Sequence, residues 1–204
     1  MKRVGLILSI IAASSLCLVT MASENVHGIA YGAGEYGTCE YDTCNISLTS
    51  EGSVTLDVTP TASTSCSVSR DEVGVSTASS TGYTLSFTDT VASATMTGSH
   101  GGTINATAGT TASPAQLTAN SWGYRVDGTG AFGNGPTAAR SNGAIPSETY
   151  AAIPGVNDTP ATLKSVAQTA PSPDTTDVWY GLCVNTTIPA GSYASNVVYT
   201  AVVN

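Results

Sequence analysis

Charged residues are scarce in this chain. Asp, Glu, Lys and Arg make up 10% of its 204 residues, and Lys and Arg together number 6. A protein that binds nucleic acid presents a basic surface to the phosphates, so the scarcity of cations predicts that nucleic acid is not a partner. The net charge of −8 at pH 7 argues equally against docking on an anionic lipid or wall polymer.

Histidine is almost absent as well. The chain has 2 His, and the second of them, His100, lies in the glycine-rich stretch TGSHGGT. Acid–base and nucleophilic catalysis need titratable groups gathered in one pocket, and no G-x-S-x-G nucleophile turn is present. Adjacent carboxylates such as Asp71 and Glu72 would point to opposite faces of a strand. We therefore predict no enzymatic activity, no cofactor and no metal site.

Long apolar runs are missing after the N-terminus. The one such run, VGLILSIIAASSLCLVTMA, follows Lys2 and Arg3 and precedes the polar stretch SENVHGIA. This order predicts a signal peptide over residues 1–30, with cleavage after Ala30 or, alternatively, after Ala22. The other interpretation is an uncleaved membrane anchor. We expect residues 31–204 to form a single secreted or cell-surface domain without a membrane span.

The cysteines agree with export. Loss of the signal peptide removes Cys17 and leaves an even four: Cys39, Cys44, Cys66 and Cys183. An even number in an exported chain predicts disulfides, and four cysteines allow three connectivities. The preferred connectivity pairs the first two, which close a short turn in CEYDTC, and pairs the last two across most of the domain. The alternative is a metal site of four cysteines. Such a site usually has closely spaced pairs of cysteines, whereas Cys66 and Cys183 are each isolated in the sequence.

Short alternating segments predict an all-β fold. Threonine suits a pleated surface, while glycine and serine suit the turns between strands. Apolar residues recur at every second position in four clear segments. Those positions are Val54, Leu56 and Val58; Tyr83, Leu85 and Phe87; Trp122, Tyr124 and Val126; and Val197, Tyr199, Ala201 and Val203. Many short antiparallel strands predict a two-sheet sandwich, Ig-like or jelly-roll in form.

Less regular stretches separate these strands. Between Gly128 and Asp177 the sequence is rich in Gly, Pro, Ser and Thr, which predicts long surface loops that carry function. One short helix is conceivable, over Pro160 to Ala170. The last strand is apolar on both faces, so we expect it to lie within a sheet rather than at an exposed edge.

Several segments together resemble a known group. YGAGEYGTCEYDTC, VTPTASTSCSV, STGYTLSF, SWGYRVDG and PAGSYASNVVYTAVVN resemble secreted, largely uncharacterised β-sandwich proteins of ultrasmall, host-associated bacteria. More distantly, the terminal PAGSY and the alternating strand after it are similar to the last strand of spore-coat-U-type and fimbrial subunits. Those subunits are Ig-like and form surface structures. Donor-strand pilins also have an alternating apolar N-terminal extension, which YGAGEYGTC lacks.

The sequence therefore predicts a structural or adhesive surface module that presents loops or associates with copies of itself. The alternatives are a lectin-like module that binds a glycan or small ligand, and a pilin-like filament subunit. Trp122 and Trp179 lie in strand patterns and are expected in the core. Tyr31, Tyr36 and Tyr41 are the candidates for contact with a partner protein or glycan.

Overall fold

The structure is a computed structural model, and it describes residues 2–13, 16–24 and 46–204. These residues form fifteen strands and no helix, so the all-β class is confirmed. The strands are β1 (Lys2–Ala13), β2 (Leu16–Glu24), β3 (Ile46–Ser50), β4 (Thr55–Val58), β5 (Ser65–Thr77), β6 (Tyr83–Asp89), β7 (Met96–Thr97), β8 (Thr103–Ala106), β9 (Ala115–Gln116), β10 (Ser121–Val126), β11 (Arg140–Gly143), β12 (Thr149–Tyr150), β13 (Ala161–Val166), β14 (Ala170–Val184) and β15 (Ala194–Val203). The described residues include no helix with the length and apolar character that crossing a membrane requires.

The strands are arranged in two large sheets and one small one. The first sheet has the order β13-β6-β15-β1-β2-β4, and the second has the order β11-β5-β14-β10-β8-β7, with β3 also paired to β5. The small sheet consists of β9 and β12. Most neighbours are antiparallel, and β8 runs parallel to β10. The last strand, β15, lies between β6 and β1, so it is internal to the sheet of the full chain; within residues 46–204 it pairs with β6, and the expectation that it is internal to the sheet of the mature domain is not confirmed.

The N-terminal apolar run contributes two strands to the first sheet. β1 pairs with β15 and with β2, and β2 pairs in turn with β4. Both strands fall within residues 1–30, the segment predicted to be a signal peptide. That segment and its cleavage remain predictions from the sequence.

The main hydrophobic core contains residues from both large sheets. Strand β6 buries Tyr83, Leu85 and Phe87, while their alternating neighbours are partly exposed. The ring of Phe87 meets that of Tyr124 from the other sheet edge-on, with 4.4 Å between centroids. Trp122 is fully buried as well, and its Nε1 donates a hydrogen bond to the carbonyl of Ala94. The predicted core position of Trp122 is therefore confirmed.

A second, smaller cluster covers the opposite face of β5 and β14. Alternation along β14 sends Val178, Tyr180, Leu182 and Val184 to the main core. The residues between them, including Trp179, face a cluster with Leu117 and Tyr150. Both faces of β14 are thus buried from Val178 to Val184, which explains the nearly continuous apolar run in that half of the strand.

A disulfide between Cys66 and Cys183 lies within this second cluster. The two residues face each other directly across β5 and β14, and both are buried. The long-range pairing predicted from the spacing of the cysteines is the one that the structure contains. Cys39 and Cys44 lie outside the described residues.

Two expectations about the less regular stretches are wrong. Pro160 to Ala170, the one stretch in which a short helix was considered, contains strand β13 instead, because Ala161 and Leu163 pack in the core with the two-residue period of a strand. Residues 128–177 were expected to be loops, but they contain β11, β12, β13 and the first part of β14. These strands are polar on one face or both, so alternation did not reveal them.

Two carboxyl groups among the described residues have no exposed surface, those of Asp71 and Asp89. The Oδ1 of Asp71 accepts a hydrogen bond from the Glu51 amide at 2.9 Å, and its Oδ2 has no hydrogen-bond partner among the described residues. Burial raises the pKa of Asp71 from 3.8 to about 6, and the Glu51 hydrogen bond offsets this only in part. The Tyr199 hydroxyl also lowers this pKa, while the charge of the Glu51 carboxylate raises it; the Asp71 charge in turn raises the pKa of Tyr180 and Tyr199.

The Asp71→Asn variant is expected to be more stable than the native chain at pH 7. The Asp71 carboxyl holds its proton more tightly in the folded chain than in the unfolded one. Its contribution to the stability of the fold is therefore fully present below about pH 4 and is lost as the pH rises through about 6. A shift of about 2 units corresponds to roughly 3 kcal/mol. Urea unfolding at pH 4 and pH 7 should show the advantage of the variant growing with pH. The exposed Asp158→Asn change is the control, and an advantage of Asp71→Asn that does not grow with pH would contradict the assignment.

Candidate binding cleft

A cleft of about 610 Å³ opens between the two large sheets. Its walls are residues 162–165 of the edge strand β13, residues 175–177 of β14, and residues 126–129 at the end of β10. The volume lies within the 300 to 1,000 Å³ range that is typical of ligand sites. We call this feature the β13 cleft.

The wall at the end of β10 is a tight turn. Strand β10 ends at Val126, and Asp127 and Gly128 follow; the φ of Gly128 is +72°, a conformation that favours glycine. The hydroxyl of Thr129 then donates a hydrogen bond to the carbonyl of Leu163 at 3.1 Å. This bond connects the turn to β13.

The buried guanidinium of Arg125 fixes the loop that contains this turn. The Arg125 side chain is completely buried, and its Nη1 and Nη2 donate to the carbonyls of Thr149, Phe132 and Gly133 at 2.9 to 3.2 Å. It also lies over the ring of Phe132, 5.8 Å from the centroid. An arginine in a strand whose six residues are all buried therefore fixes the loop that follows that strand.

The counter-charge of Arg125 is Asp127, which lines the cleft. Arg125 Nε donates to Asp127 Oδ1 at 3.0 Å, and the aspartate side chain keeps 38% of its surface exposed. Gly135 packs so closely here that a Cβ would lie 1.8 Å from Asp127 Oδ1. A buried charge is costly unless it is paired, so this ion pair also determines where the Asp127 carboxylate is placed.

The opposite wall contains Lys164, the single lysine of residues 31–204. Its Nζ donates to Asp174 Oδ1 at 2.5 Å and to the carbonyl of Thr175 at 3.2 Å, which ties β13 to β14. The Tyr83 hydroxyl donates to the other oxygen of Asp174 at 2.9 Å. Burial raises the pKa of Asp174, but the hydrogen bonds from Lys164 and Tyr83 outweigh burial, so this pKa lies below its usual value.

Two polar side chains of β14 complete the lining. Asp177 accepts a hydrogen bond from Arg70, and this contact raises the pKa of the arginine. Thr176 is only 6% exposed, and its Oγ1 has no hydrogen-bond partner among the described residues. A buried hydroxyl normally finds a partner, so Thr176 is the lining residue whose hydrogen bonding is incomplete.

Most of these residues were not singled out from the sequence. Lys164 and Thr176 lie in the stretch that was expected to be loops. The available signal for the turn was Arg125 in the apolar run SWGYRVDG, because a charge in a buried strand needs partners nearby. Two of the three walls of the cleft lie between residues 128 and 177, and both are strands rather than loops. That this stretch carries the function stays a prediction.

The residues proposed from the sequence lie elsewhere. Tyr31, Tyr36 and Tyr41, the candidates for partner contact, fall outside the described residues. His100 is exposed, and its Nδ1 lies 3.1 Å from the hydroxyl of Ser99. Within the described parts of the chain, no three His, Cys, Asp or Glu residues converge as metal ligands would. The absence of enzymatic activity and of a cofactor therefore remains a prediction.

Comparisons with known proteins found no relative of this chain. No family model, curated protein or solved structure matches this chain. The resemblance to secreted surface proteins therefore rests on the sequence segments themselves.

Proposed function

We propose that this chain is an exported surface module that contacts a partner through its loops and performs no catalysis. The module comprises residues 31–204, folded as a disulfide-bonded sandwich of Ig-like or jelly-roll form. Its partner is a surface protein, a glycan or a second copy of the chain. The disulfide between Cys66 and Cys183 supports export, because disulfides persist in oxidising compartments.

The observation that carries this proposal is the burial of Arg125. The chain has few cations, yet it places this one out of water to hold the loop at residues 127–133 beside the β13 cleft. A loop that is fixed in advance loses less entropy when a partner binds. Binding residues are also found preferentially on loops that a rigid scaffold positions.

Export is tested by expressing the full chain in a bacterium and treating intact cells with protease. We expect the protein to be degraded from outside while a cytoplasmic marker survives. Mass spectrometry of untreated material should give an N-terminus after Ala30 or Ala22. In the Ile10→Arg control, a charge interrupts the apolar run, and the chain should stay inside with its N-terminus intact. A native chain found inside the cell at full length would refute the proposal.

A second candidate, a filament subunit, is favoured by the order of the first sheet. β1 and β2 lie between β15 and β4. Cleavage after Ala30 would remove β1 and β2. Strands β15 and β4 would then each have an open edge where β1 and β2 had paired with them. A strand from another copy can pair with such edges. Light scattering on the processed protein distinguishes the candidates, since a polymer would favour the filament and a monomer would favour the self-contained module.

A further inference from the structure

We propose that Asn134 is a site of spontaneous covalent modification, at which the side-chain amide is lost as ammonia, whereas the fold protects the other Asn–Gly pair of the chain. The sequence contains such a pair twice, as Asn134–Gly135 and as Asn142–Gly143. Glycine has no side chain that hinders its backbone nitrogen from approaching the preceding asparagine. Both pairs are therefore chemically competent, and the structure distinguishes them.

The reaction needs only water as a co-reactant. The backbone nitrogen of Gly135 attacks Cγ of Asn134, so that a new N–Cγ bond forms and the Cγ–Nδ2 bond breaks. Ammonia leaves with the proton that the Gly135 nitrogen gives up, and the product is a five-membered cyclic imide. Water then opens this ring at Cγ, which gives aspartate, or at the backbone carbonyl carbon, which gives isoaspartate. No oxidant or reductant takes part.

Asn134 is free to follow this route. It lies in the loop between β10 and β11, outside any strand, and it is exposed. Within the described part of the chain, neither its side-chain amide nor the backbone N–H of Gly135 forms a hydrogen bond. The ring can therefore close without first breaking a hydrogen bond at either reacting group.

Asn142 is also exposed, so hydrogen bonds rather than burial protect it. Its Oδ1 accepts a hydrogen bond from the backbone N–H of Thr59, and its own N–H donates to Ser67 Oγ at 3.3 Å. The residue lies in β11, where Gly143 pairs with Cys66 of β5. To bring its Cγ onto the Gly143 nitrogen, Asn142 must release the Thr59 bond and disturb this pairing.

Conversion of Asn134 would change the charge of the loop beside the β13 cleft. Either product carries a carboxyl group that is ionised at pH 7. The adjacent Gly135 packs against the carboxylate of Asp127, the counter-charge of Arg125. The reaction therefore adds a negative charge next to an existing one, and isoaspartate also adds a methylene group to the backbone. The modification needs neither a partner nor export, so it is independent of the proposed function.

Peptide mass spectrometry can follow both asparagines while the purified protein is kept in warm, mildly alkaline buffer. In the folded protein, we expect Asn134 to convert roughly tenfold faster than Asn142 or more, because Asn142 must first lose hydrogen bonds. In guanidinium chloride these protecting contacts are absent. The two rates should then become similar.

Anion-exchange chromatography gives a second readout, because conversion adds a negative charge. Asn134→Gln keeps an amide at this exposed position but lengthens the side chain, so the five-membered ring cannot form and the main acidic species should not appear. Asn157→Gln makes the same change at another exposed loop asparagine. It should leave the acidic species unchanged.

Four results would overturn the inference. They are an Asn134 that stays intact in the folded protein while it converts in the denatured one, an Asn142 that converts as fast as Asn134 in the folded protein, an acidic species that still forms in Asn134→Gln, and a ratio of the two rates that is the same in folded and denatured protein. The last result would assign the difference to the neighbouring sequence rather than to the fold.

Discussion

A chain that lacks Val197 to Asn204 is expected to remain unfolded. Val197, Tyr199 and Ala201 are completely buried in the main core. The Tyr199 hydroxyl also forms a hydrogen bond of 2.7 Å with that of Tyr180, which lies in the second large sheet. The deletion therefore removes a part of the core to which both sheets contribute.

The backbone of β6 would lose a neighbour at the same time. Val197 to Val203 pair with Asp89 to Tyr83 along the whole of β6. Burial of a Val or Tyr side chain contributes about 1.5 to 3 kcal/mol, and each net hydrogen bond contributes about 0.5 to 1.5 kcal/mol. Summed over the strand, the loss is comparable with the whole stability of a typical domain, about 5 to 15 kcal/mol.

Circular dichroism and size-exclusion chromatography test this expectation. The control is Val202→Ser, which changes the same strand at a side chain that is 37% exposed and should leave the fold intact. One outcome would contradict the prediction in an informative way. If the truncated chain folds as a monomer while the full chain forms filaments, then β15 acts as a donor strand for the next subunit.

The strands that bury one face could be predicted from the sequence. In β6, Tyr83, Leu85 and Phe87 alternate with Thr84 and Ser86, and the structure buries the first set and leaves the second partly exposed. Such a strand must match the two-residue period, because a shift by one residue would turn its apolar side chains to water. The same argument identified β15. The alternating apolar residues also revealed β10, although the structure buries all six residues of that strand.

The β13 cleft could not be predicted in this way. Its walls come from the end of β10 and from the consecutive strands β13 and β14, which follow after two intervening strands, and its polar residues occupy positions that alternation treats as solvent-facing. Thr176 illustrates the difficulty, since a threonine in a polar stretch gives no sign that it is buried without a partner. Arg125 gave a better signal, because a cation in an apolar strand requires neighbours that satisfy it.

The second large expected effect is the destabilisation caused by replacing both Cys66 and Cys183 with alanine. Their disulfide spans 117 residues. The loop-entropy model gives roughly 5 kcal/mol for a closed loop of this length and roughly 2 kcal/mol for a loop the size of that predicted between Cys39 and Cys44. Replacing the distant pair should therefore lower the melting temperature by about 10 to 20 °C, and clearly more than replacing the near pair.

The buried position of this disulfide adds a second reason to expect a large loss of stability, beyond the long loop that the bond closes. Both cysteines are buried in the second cluster beside Trp179 and Leu117, so alanine would also leave space that neighbouring side chains fill incompletely. Reduction of the native protein without mutation is the control, because it breaks the bond but keeps the sulfur atoms in place. Thermal unfolding should then rank the native protein above the reduced protein, and the reduced protein above the double alanine variant. If the near pair proved to be the more stabilising one, or if mass spectrometry found free thiols at Cys66 and Cys183 in native material, this account of the second cluster would be wrong.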